Sequence, residues 1–215
     1  MLIEAPYELE IDNILDLSHI EFMHPLFASE AVRRAKVQSS QDGDTVWSKR
    51  YITRDSLPEL LRQAFHIPAG ALADRWLDVR WNAPALMVLY NGAVVSGQPR
   101  ESGLEVQQAH FFTPETDHTT HYLYSMSFPR ALGPAGAQMA KDVVKSLHGP
   151  FENEDKPIVE AVARNMGGAD FWDMKPLLLS IDGAAVKARR VLERMIAAEQ
   201  GSDAASPDSA PTHRP

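Results

Sequence analysis

A short segment near the N-terminus, EIDNILDLSHIEFMHP (residues 10–25), combines metal-ligating side chains with an apolar background. Asn13, Asp16 and His19 recur at every third position, and His24 follows five residues after His19. Imidazole nitrogens and carboxylate oxygens bind divalent metals, and burying a carboxylate is costly unless it is paired or bound to a metal. The segment therefore predicts a buried polar site, with His19 and His24 as candidate metal ligands.

The apolar residues of this segment predict a buried helix over residues 10–23, because they surround almost the whole circumference of a helical wheel. They are Ile11, Ile14, Leu15, Leu17, Ile20 and Met23. On an unbroken helix His24 would lie about 140° away from His19. Pro25 disfavours helical geometry at His24, so a helix that ends at Met23 would let both imidazoles face one point. Two hydrogen-bonded histidines near a helix end are the alternative interpretation.

A third ligand is expected from the segment FENEDKPIVEAV (residues 151–162), which as a helix places Asp155 on its apolar side. The residues that share this stripe are Phe151, Ile158, Val159 and Val162, and those that point away are Glu152, Glu154, Lys156, Glu160 and Arg164. The alternative is an acid that stabilises a helix start, because Pro157 fits best in a first helical turn. Two histidines and one carboxylate form the facial triad of non-haem Fe(II) oxygenases, which leaves coordination positions open.

The composition is that of one globular domain of ordinary polarity. The 215 residues are 44% hydrophobic and 23% charged, and the net charge of -8 includes no basic stripe that could neutralise nucleic-acid phosphates. No apolar run approaches the roughly 20 residues of a membrane span, and the N-terminus lacks the pattern of a secretory signal, so a cytoplasmic location is expected. The absence of cysteine excludes disulfides, thiolate zinc sites and any iron–sulfur cluster within these residues.

The pattern of elements predicts an α+β domain in which a sheet folds around long helices. Strands are expected at 32–40, 45–53, 75–83, 85–92, 103–113 and 120–128, the first two as a hairpin, and helices at 10–23, 56–65, 136–166 and 183–199. Ser56 is a possible N-cap, and the long helix is expected to break near His148–Phe151. Residues 1–200 are predicted to form the domain, and the polar, proline-rich residues 201–215 a disordered tail.

Four motifs together resemble the C-terminal catalytic domain of Rieske-type non-haem iron oxygenases, in the branch of vanillate and dicamba O-demethylases. In chain order they are DNILDLSHIEFMH, DVRWN, HFFTPETDHTTHY and NEDKPIVEA. The similarity runs from about Tyr7 to Glu199. It implies a helix-grip (START-like) fold, in which a curved antiparallel sheet surrounds a long C-terminal helix.

The resemblance also implies a role for each polar residue of the first segment. His19, His24 and Asp155 would bind a mononuclear Fe(II). Asp16 would match the acid that links the iron to a Rieske-cluster histidine of a neighbouring subunit, and Asn13 the polar residue beside the metal. Members of the family work as trimers, in which each Rieske domain supplies electrons to the next subunit's iron.

His110 occupies a strand position at which the family often has a pocket-facing histidine, so the resemblance suggests a substrate-binding role. A hydrogen-bonded core histidine is the alternative. The chemistry implied is reductive activation of O₂ on Fe(II), followed by attack on a small aromatic substrate. In this branch, hydroxylation of a methoxy carbon gives a hemiacetal that releases formaldehyde. A ferredoxin or Rieske domain and a reductase would supply the electrons.

The sequence departs from the family in lacking the Rieske domain, since a [2Fe–2S] cluster needs cysteines that are absent here. The chain is therefore expected to be a fragment, a split subunit that receives electrons in trans, or a degenerate relative. Two rival functions are a metal-free helix-grip module that binds an apolar ligand, and a zinc hydrolase with the same three ligands. The first gives no role to the metal-ligand set, and the second gives none to Asp16.

Overall fold

A seven-stranded antiparallel sheet forms the body of the protein in a computed structural model that describes residues 1–204. Its strands are β1 Leu2–Ile3, β2 Lys36–Asp42, β3 Thr45–Asp55, β4 Ala73–Asn82, β5 Leu86–Val95, β6 Leu104–Thr116 and β7 Thr119–Ser127. Their spatial order is β1-β7-β6-β5-β4-β3-β2. Strands β2 to β7 are therefore a meander in which each strand pairs with the next along the chain.

Seven α-helices precede, interrupt and follow the strands. They are α1 Tyr7–Leu15, α2 Ile20–Met23, α3 Glu30–Arg34, α4 Glu59–Ala64, α5 Gly133–Pro150, α6 Lys156–Met166 and α7 Gly183–Ala204. Helices α1, α5 and α7 contact the sheet, and α1 also contacts α6 and α7. The predicted α+β class, with a curved antiparallel sheet and a long C-terminal helix, is confirmed. Among residues 1–204, no helix is long and apolar enough to cross a lipid bilayer.

The main hydrophobic core lies between the helices and the inner face of the sheet. On strand β4 the alternate residues Leu77, Val79 and Trp81 are almost fully buried in that core, because every second side chain of a strand points to the same face of the sheet. Helix α7 closes the core with the face expected from the sequence, since Ala184, Ala188, Val191 and Leu192 are buried. Small alanine side chains let this helix approach β2 and β3 closely.

The predicted helix over residues 10–23 is wrong in one respect that matters for the site. Helix α1 ends at Leu15, a 3₁₀ turn follows over Leu17–His19, and α2 covers Ile20–Met23. The break lies at Asp16, whose backbone is extended and whose carboxylate accepts a hydrogen bond from the Ser18 N–H at 3.0 Å. A side chain that caps the next turn competes with the continuous helix, so Asn13, Asp16 and His19 do not form one helical line.

Other element boundaries also differ from the sequence-based expectation. Residues 32–34 belong to α3, so the hairpin begins at Lys36, and α4 begins at Glu59 after Pro58, without a side-chain cap from Ser56. The expected break near His148 is absent, because a π-helical segment over Phe151–Asp155 joins α5 to α6. Helix α7 continues through residues 201–204, and the rest of the predicted tail, residues 205–215, lies outside the described residues.

Candidate metal centre

His19 and His24 are brought together by the two short helical turns that follow Asp16. His19 ends the 3₁₀ turn, α2 ends at Met23 as expected, and His24 then adopts a non-helical backbone conformation. The two ring centroids are 5.2 Å apart, with the planes nearly perpendicular. The interruption of the helix therefore does what one regular helix could not, because it turns both imidazoles toward the same point.

Each imidazole has its Nδ1 engaged, so that its Nε2 remains for a ligand. The His19 Nδ1 lies 2.7 Å from the backbone carbonyl oxygen of Asp16, and the His24 Nδ1 lies 2.6 Å from a Glu154 carboxylate oxygen. Both partners are acceptors, which assigns the proton to Nδ1 and a lone pair to Nε2 in the neutral rings. Metal-ligating histidines commonly show this arrangement, since the outer acceptor orients the ring.

Asp155 completes the group from the other end of the chain. It ends the π-helical segment Phe151–Asp155, a geometry that often marks functional sites, and it is 4% exposed. Its Oδ1 lies 3.5 Å from the His19 Nε2 and 3.2 Å from the His24 Nε2. Ligand atoms of these three residues all lie within 4.8 Å of one another.

The donor set fits a divalent cation. With both histidines neutral, three lone pairs converge on one point, and the buried Asp155 Oδ1 has no hydrogen-bond partner. Burial lowers the pKa of His19 despite the opposing effect of Asp155. Burial also acts to lower the pKa of His24, but Asp155 and Glu154 outweigh it and raise that pKa. The two carboxylates thus favour a positive charge between the rings, and a metal with nitrogen and oxygen ligands supplies one.

Asp16 and Asn13 lie beside this group rather than in it. The Asp16 carboxylate accepts from the Ser18 hydroxyl at 2.7 Å and from Arg50 at 3.4 Å. The amide nitrogen of Asn13 is buried without a hydrogen-bond partner. Both residues line a surface cavity of about 480 Å³ whose wall also includes His19.

A second cavity, of about 210 Å³, places His19, His24 and Asp155 in the same wall as His110. Most of its lining is apolar, including Ile14, Leu61, Leu89, Met126, Leu147 and Phe151. His110 is 1% exposed, and its Nδ1 lies 2.7 Å from the Tyr122 hydroxyl, while its Nε2 has no partner. Burial lowers its pKa to about 4, so the ring is uncharged at neutral pH.

Sequence reasoning missed three residues of this region and misplaced two others. Glu154 was expected only to point away from the core, yet it binds His24. Glu10 and Arg75 are both 1% exposed, and burial, with Asp155 and Glu160, raises the pKa of Glu10 to about 8. The sequence feature that could have identified Glu10 and Arg75 is a charged residue at an inward-facing position of an otherwise apolar element.

Two residues that were predicted to share the buried stripe of Asp155, Ile158 and Val162, are largely exposed.

Comparison with known proteins identifies the family to which this fold belongs. The family model described as the vanillate O-demethylase oxygenase C-terminal domain matches residues 3–198. The oxygenase component of chloroacetanilide N-alkylformylase from Rhizorhabdus wittichii is 34% identical over 198 residues, which cover 92% of this chain and 56% of the relative. The oxygenase component of dicamba O-demethylase from Stenotrophomonas maltophilia is 28% identical, with 90% of this chain and 56% of the relative covered.

A solved structure shows the same architecture. The crystal structure of dicamba monooxygenase bound to 3,6-dichlorosalicylic acid superposes with a TM-score of 0.82 and 26% identity over 93% of this chain and 58% of that one. The chain thus spans little more than half the length of the relatives it matches. With the family model covering nearly all of its described residues, the chain belongs to the family of vanillate O-demethylase oxygenase C-terminal domains.

Proposed function

We propose that this chain is the iron-bearing catalytic domain of an oxygenase that acts on a small aromatic substrate with O₂. The observation that carries the proposal is the convergence of the His19 Nε2, the His24 Nε2 and the unpartnered Asp155 Oδ1 at the wall of an apolar cavity. Two imidazoles and one carboxylate are the ligand set that holds ferrous iron while leaving positions open. Ferrous iron bound there supplies reductive activation of O₂.

The residues of the chain would bind and orient the substrate and exclude water. A cavity of about 150 Å³ holds a benzene molecule, so about 210 Å³ suits a single substituted ring. His110 lines this space, and its uncharged ring has an Nε2 without a partner, which would offer a hydrogen bond that fixes the orientation of a substrate. The relatives named O-demethylases favour hydroxylation of a methoxy carbon, which gives a hemiacetal and then formaldehyde.

Electrons would enter beside Asp16 and Asn13. The Asp16 backbone carbonyl accepts from the His19 Nδ1, so a path of covalent bonds and one hydrogen bond joins the partly exposed Asp16 to a metal ligand. The residues printed here contain no cysteine, so a [2Fe–2S] cluster must come from another domain or protein. A Rieske domain or ferredoxin with its reductase, and a homotrimer in the full-length form, are the partners proposed.

The rival functions account for less of the site. A metal-free binding module has no use for two imidazoles and a buried carboxylate that converge on one point at the wall of an apolar cavity. A zinc hydrolase would use the three ligands and the carbonyl acceptor of His19, but it gives no role to the Asp16 carboxylate. Iron binding is therefore the first property to measure.

The test is anaerobic Fe(II) titration of the purified chain and of His19→Ala and Asp155→Ala. We expect the wild type to take up a single equivalent and both variants to lose it, because each substitution removes one of only three protein ligands. His148→Ala, an exposed histidine of α5, is the matched control and should bind like the wild type. Absence of uptake by the wild type, or equal uptake by all four proteins, would overturn the proposal.

A further inference from the structure

His110 and Tyr122 form a buried hydrogen-bonded pair beside the candidate metal centre. His110 lies on β6, and the strand register places Tyr122 of β7 opposite Phe112, so His110 and Tyr122 are diagonal neighbours on the inner face of the sheet. His110 is 1% exposed and Tyr122 is 2% exposed. The Tyr122 hydroxyl oxygen lies 2.7 Å from the His110 Nδ1. Two polar side chains thus share one hydrogen bond away from solvent.

Both members of the pair are uncharged at neutral pH. Burial lowers the pKa of His110 to about 4, although Asp155 opposes it. Burial raises the pKa of the Tyr122 hydroxyl well above its ordinary value, with Glu10 and Asp155 acting in the same direction. A neutral imidazole has one N–H and one lone pair, so two arrangements are possible. Either Tyr122 donates to Nδ1 and the ring proton lies on Nε2, or Nδ1 donates to Tyr122 and Nε2 keeps a lone pair.

The available donors and acceptors favour the first arrangement. Within the described part of the chain, the Tyr122 hydroxyl has no hydrogen-bond partner except the His110 Nδ1. If Nδ1 donated to the phenol oxygen, the Tyr122 O–H would be buried without an acceptor, which is costly. The His110 Nε2 has no partner in either arrangement, so it does not alter this comparison. The ring proton of His110 therefore belongs on Nε2.

This arrangement is the reverse of that at the two candidate histidine ligands. His19 and His24 each have an acceptor at Nδ1, which leaves a lone pair on Nε2, whereas His110 has a donor there. All three rings nevertheless line the same cavity. We infer that Tyr122 is a positioning residue that fixes His110 in its Nε2-protonated tautomer, so that His110 is a hydrogen-bond donor in the cavity and not a fourth metal ligand.

The consequence for the metal centre is that a coordination position stays open. Neutral imidazole binds a metal through a nitrogen lone pair, and a protonated Nε2 presents none to the cavity. The ligand set then remains two histidines and one carboxylate, as oxygen chemistry at Fe(II) requires. This consequence rests on the proposed function, because it assumes a metal at His19, His24 and Asp155. The tautomer of His110 does not depend on a metal.

The test is a long-range proton–nitrogen correlation spectrum of the metal-free protein with isotopically labelled histidine, which shows which ring nitrogen carries the proton. In the wild type we expect the Nε2-protonated form of His110 to exceed the other by about 10-fold or more. Tyr122→Phe, which removes only the hydroxyl, should reduce this excess at least about fivefold. Tyr124→Phe is the matched control and should leave it unchanged. The Tyr124 ring centroid is 5.6 Å from that of Tyr122, but its hydroxyl donates to the Val144 carbonyl oxygen at 3.4 Å.

The inference is overturned if wild-type His110 carries its proton on Nδ1, or populates both tautomers equally. It is also overturned if the excess survives in Tyr122→Phe. If Tyr122→Phe does not fold, the proton shared between His110 and Tyr122 in the wild type decides. One-bond coupling of that proton to Nδ1 assigns it to the ring and contradicts the inference, whereas a proton without this coupling is the Tyr122 hydroxyl.

One equivalent of Zn²⁺, added as a diamagnetic probe, tests the consequence for the metal centre. We expect the Nε2 resonances of His19 and His24 to shift while the His110 Nε2 keeps its proton. Loss of that proton on addition of the metal would overturn the exclusion of His110 from the ligand set. If no histidine responds to the metal, the proposed function fails, and the spectrum of the metal-free protein still decides the tautomer. The two failures are therefore distinguishable.

Discussion

At the scale of single residues, the orientation of the candidate ligands depends on acceptors that are not ligands themselves. Glu154 is adjacent in sequence to Asp155, yet its carboxylate reaches the outer nitrogen of His24 at 2.6 Å. Asp16 does the same for His19 through its backbone carbonyl oxygen. Such acceptors hold the ring in place and increase the basicity of the ligating nitrogen.

Removing the charge of Glu154 should weaken metal binding without removing a ligand. For Glu154→Gln we expect about 10- to 100-fold lower Fe(II) affinity with unchanged stoichiometry, because an uncharged amide oxygen is a weaker acceptor for His24. Anaerobic titration against a competing chelator measures this. Glu152→Gln is the matched control, since Glu152 lies in the same segment and pairs with Lys156 at 3.1 Å. Equal losses in both variants would contradict the assigned role.

At the scale of elements, the sheet depends on one close approach on its outer face. The Trp76 indole of β4 lies across Gly92 of β5, where an added Cβ would come within 2.1 Å of the ring. The ring is 1% exposed, donates to Glu105 at 2.9 Å, and has the Arg100 guanidinium 4.4 Å from its centroid. Trp76 therefore has little room to move.

A methyl group at Gly92 should destabilise the sheet. We expect Gly92→Ala to lower the free energy of unfolding by about 1–3 kcal/mol or more, because the overpacked indole must leave its position. Urea denaturation followed by tryptophan fluorescence measures the change. Gly201→Ala, at a helical site with open space, should change stability by less than about 1 kcal/mol and in the stabilising direction. A neutral Gly92→Ala would show that the indole adapts at no cost.

At the scale of the whole molecule, an ion pair joins the first helix to the last. The Arg189 Nε and Nη2 of α7 donate to the Asp12 carboxylate of α1 at 3.1 and 2.5 Å, and the guanidinium stacks 3.9 Å from the Phe171 ring centroid. The Arg189 side chain is 11% exposed and that of Asp12 is 25% exposed. Since α1 leads directly into Asp16 and His19, this pair fixes the helix that positions the site.

The pair should behave as a coupled unit in a double-mutant cycle. Asp12→Asn and Arg189→Met should each cost about 1.5–3 kcal/mol of stability, because each leaves the other partner partly buried without its counter-charge. The double variant should lose less than the sum, with a coupling energy of at least about 1 kcal/mol. Urea unfolding of the four proteins gives the cycle. Strict additivity would show that the two residues act independently.

The sequence by itself determined the fold class, most strands, the buried face of α7 and the residue types of the candidate metal set. These follow from local information, since period-two and period-3.6 patterns report which face of an element is buried. The spacing of His19, His24 and Pro25 indicated that the two rings could face one point if the helix ends at Met23, which is where α2 ends. The helical pattern of residues 151–162 indicated Asp155 as the third member, and the family motifs then implied the same residue.

Tertiary structure alone decided how those residues meet and what surrounds them. The break at Asp16 depends on a competition between a side-chain cap and a helix, which periodicity does not report. The helical backbone continues from α5 into α6 through the π-helical segment Phe151–Asp155, although the sequence predicted a break just before it. Glu154, Glu10 and Arg75 came to the site through contacts between elements far apart in the chain, and the partner of a charged side chain cannot be read from its own neighbours in sequence.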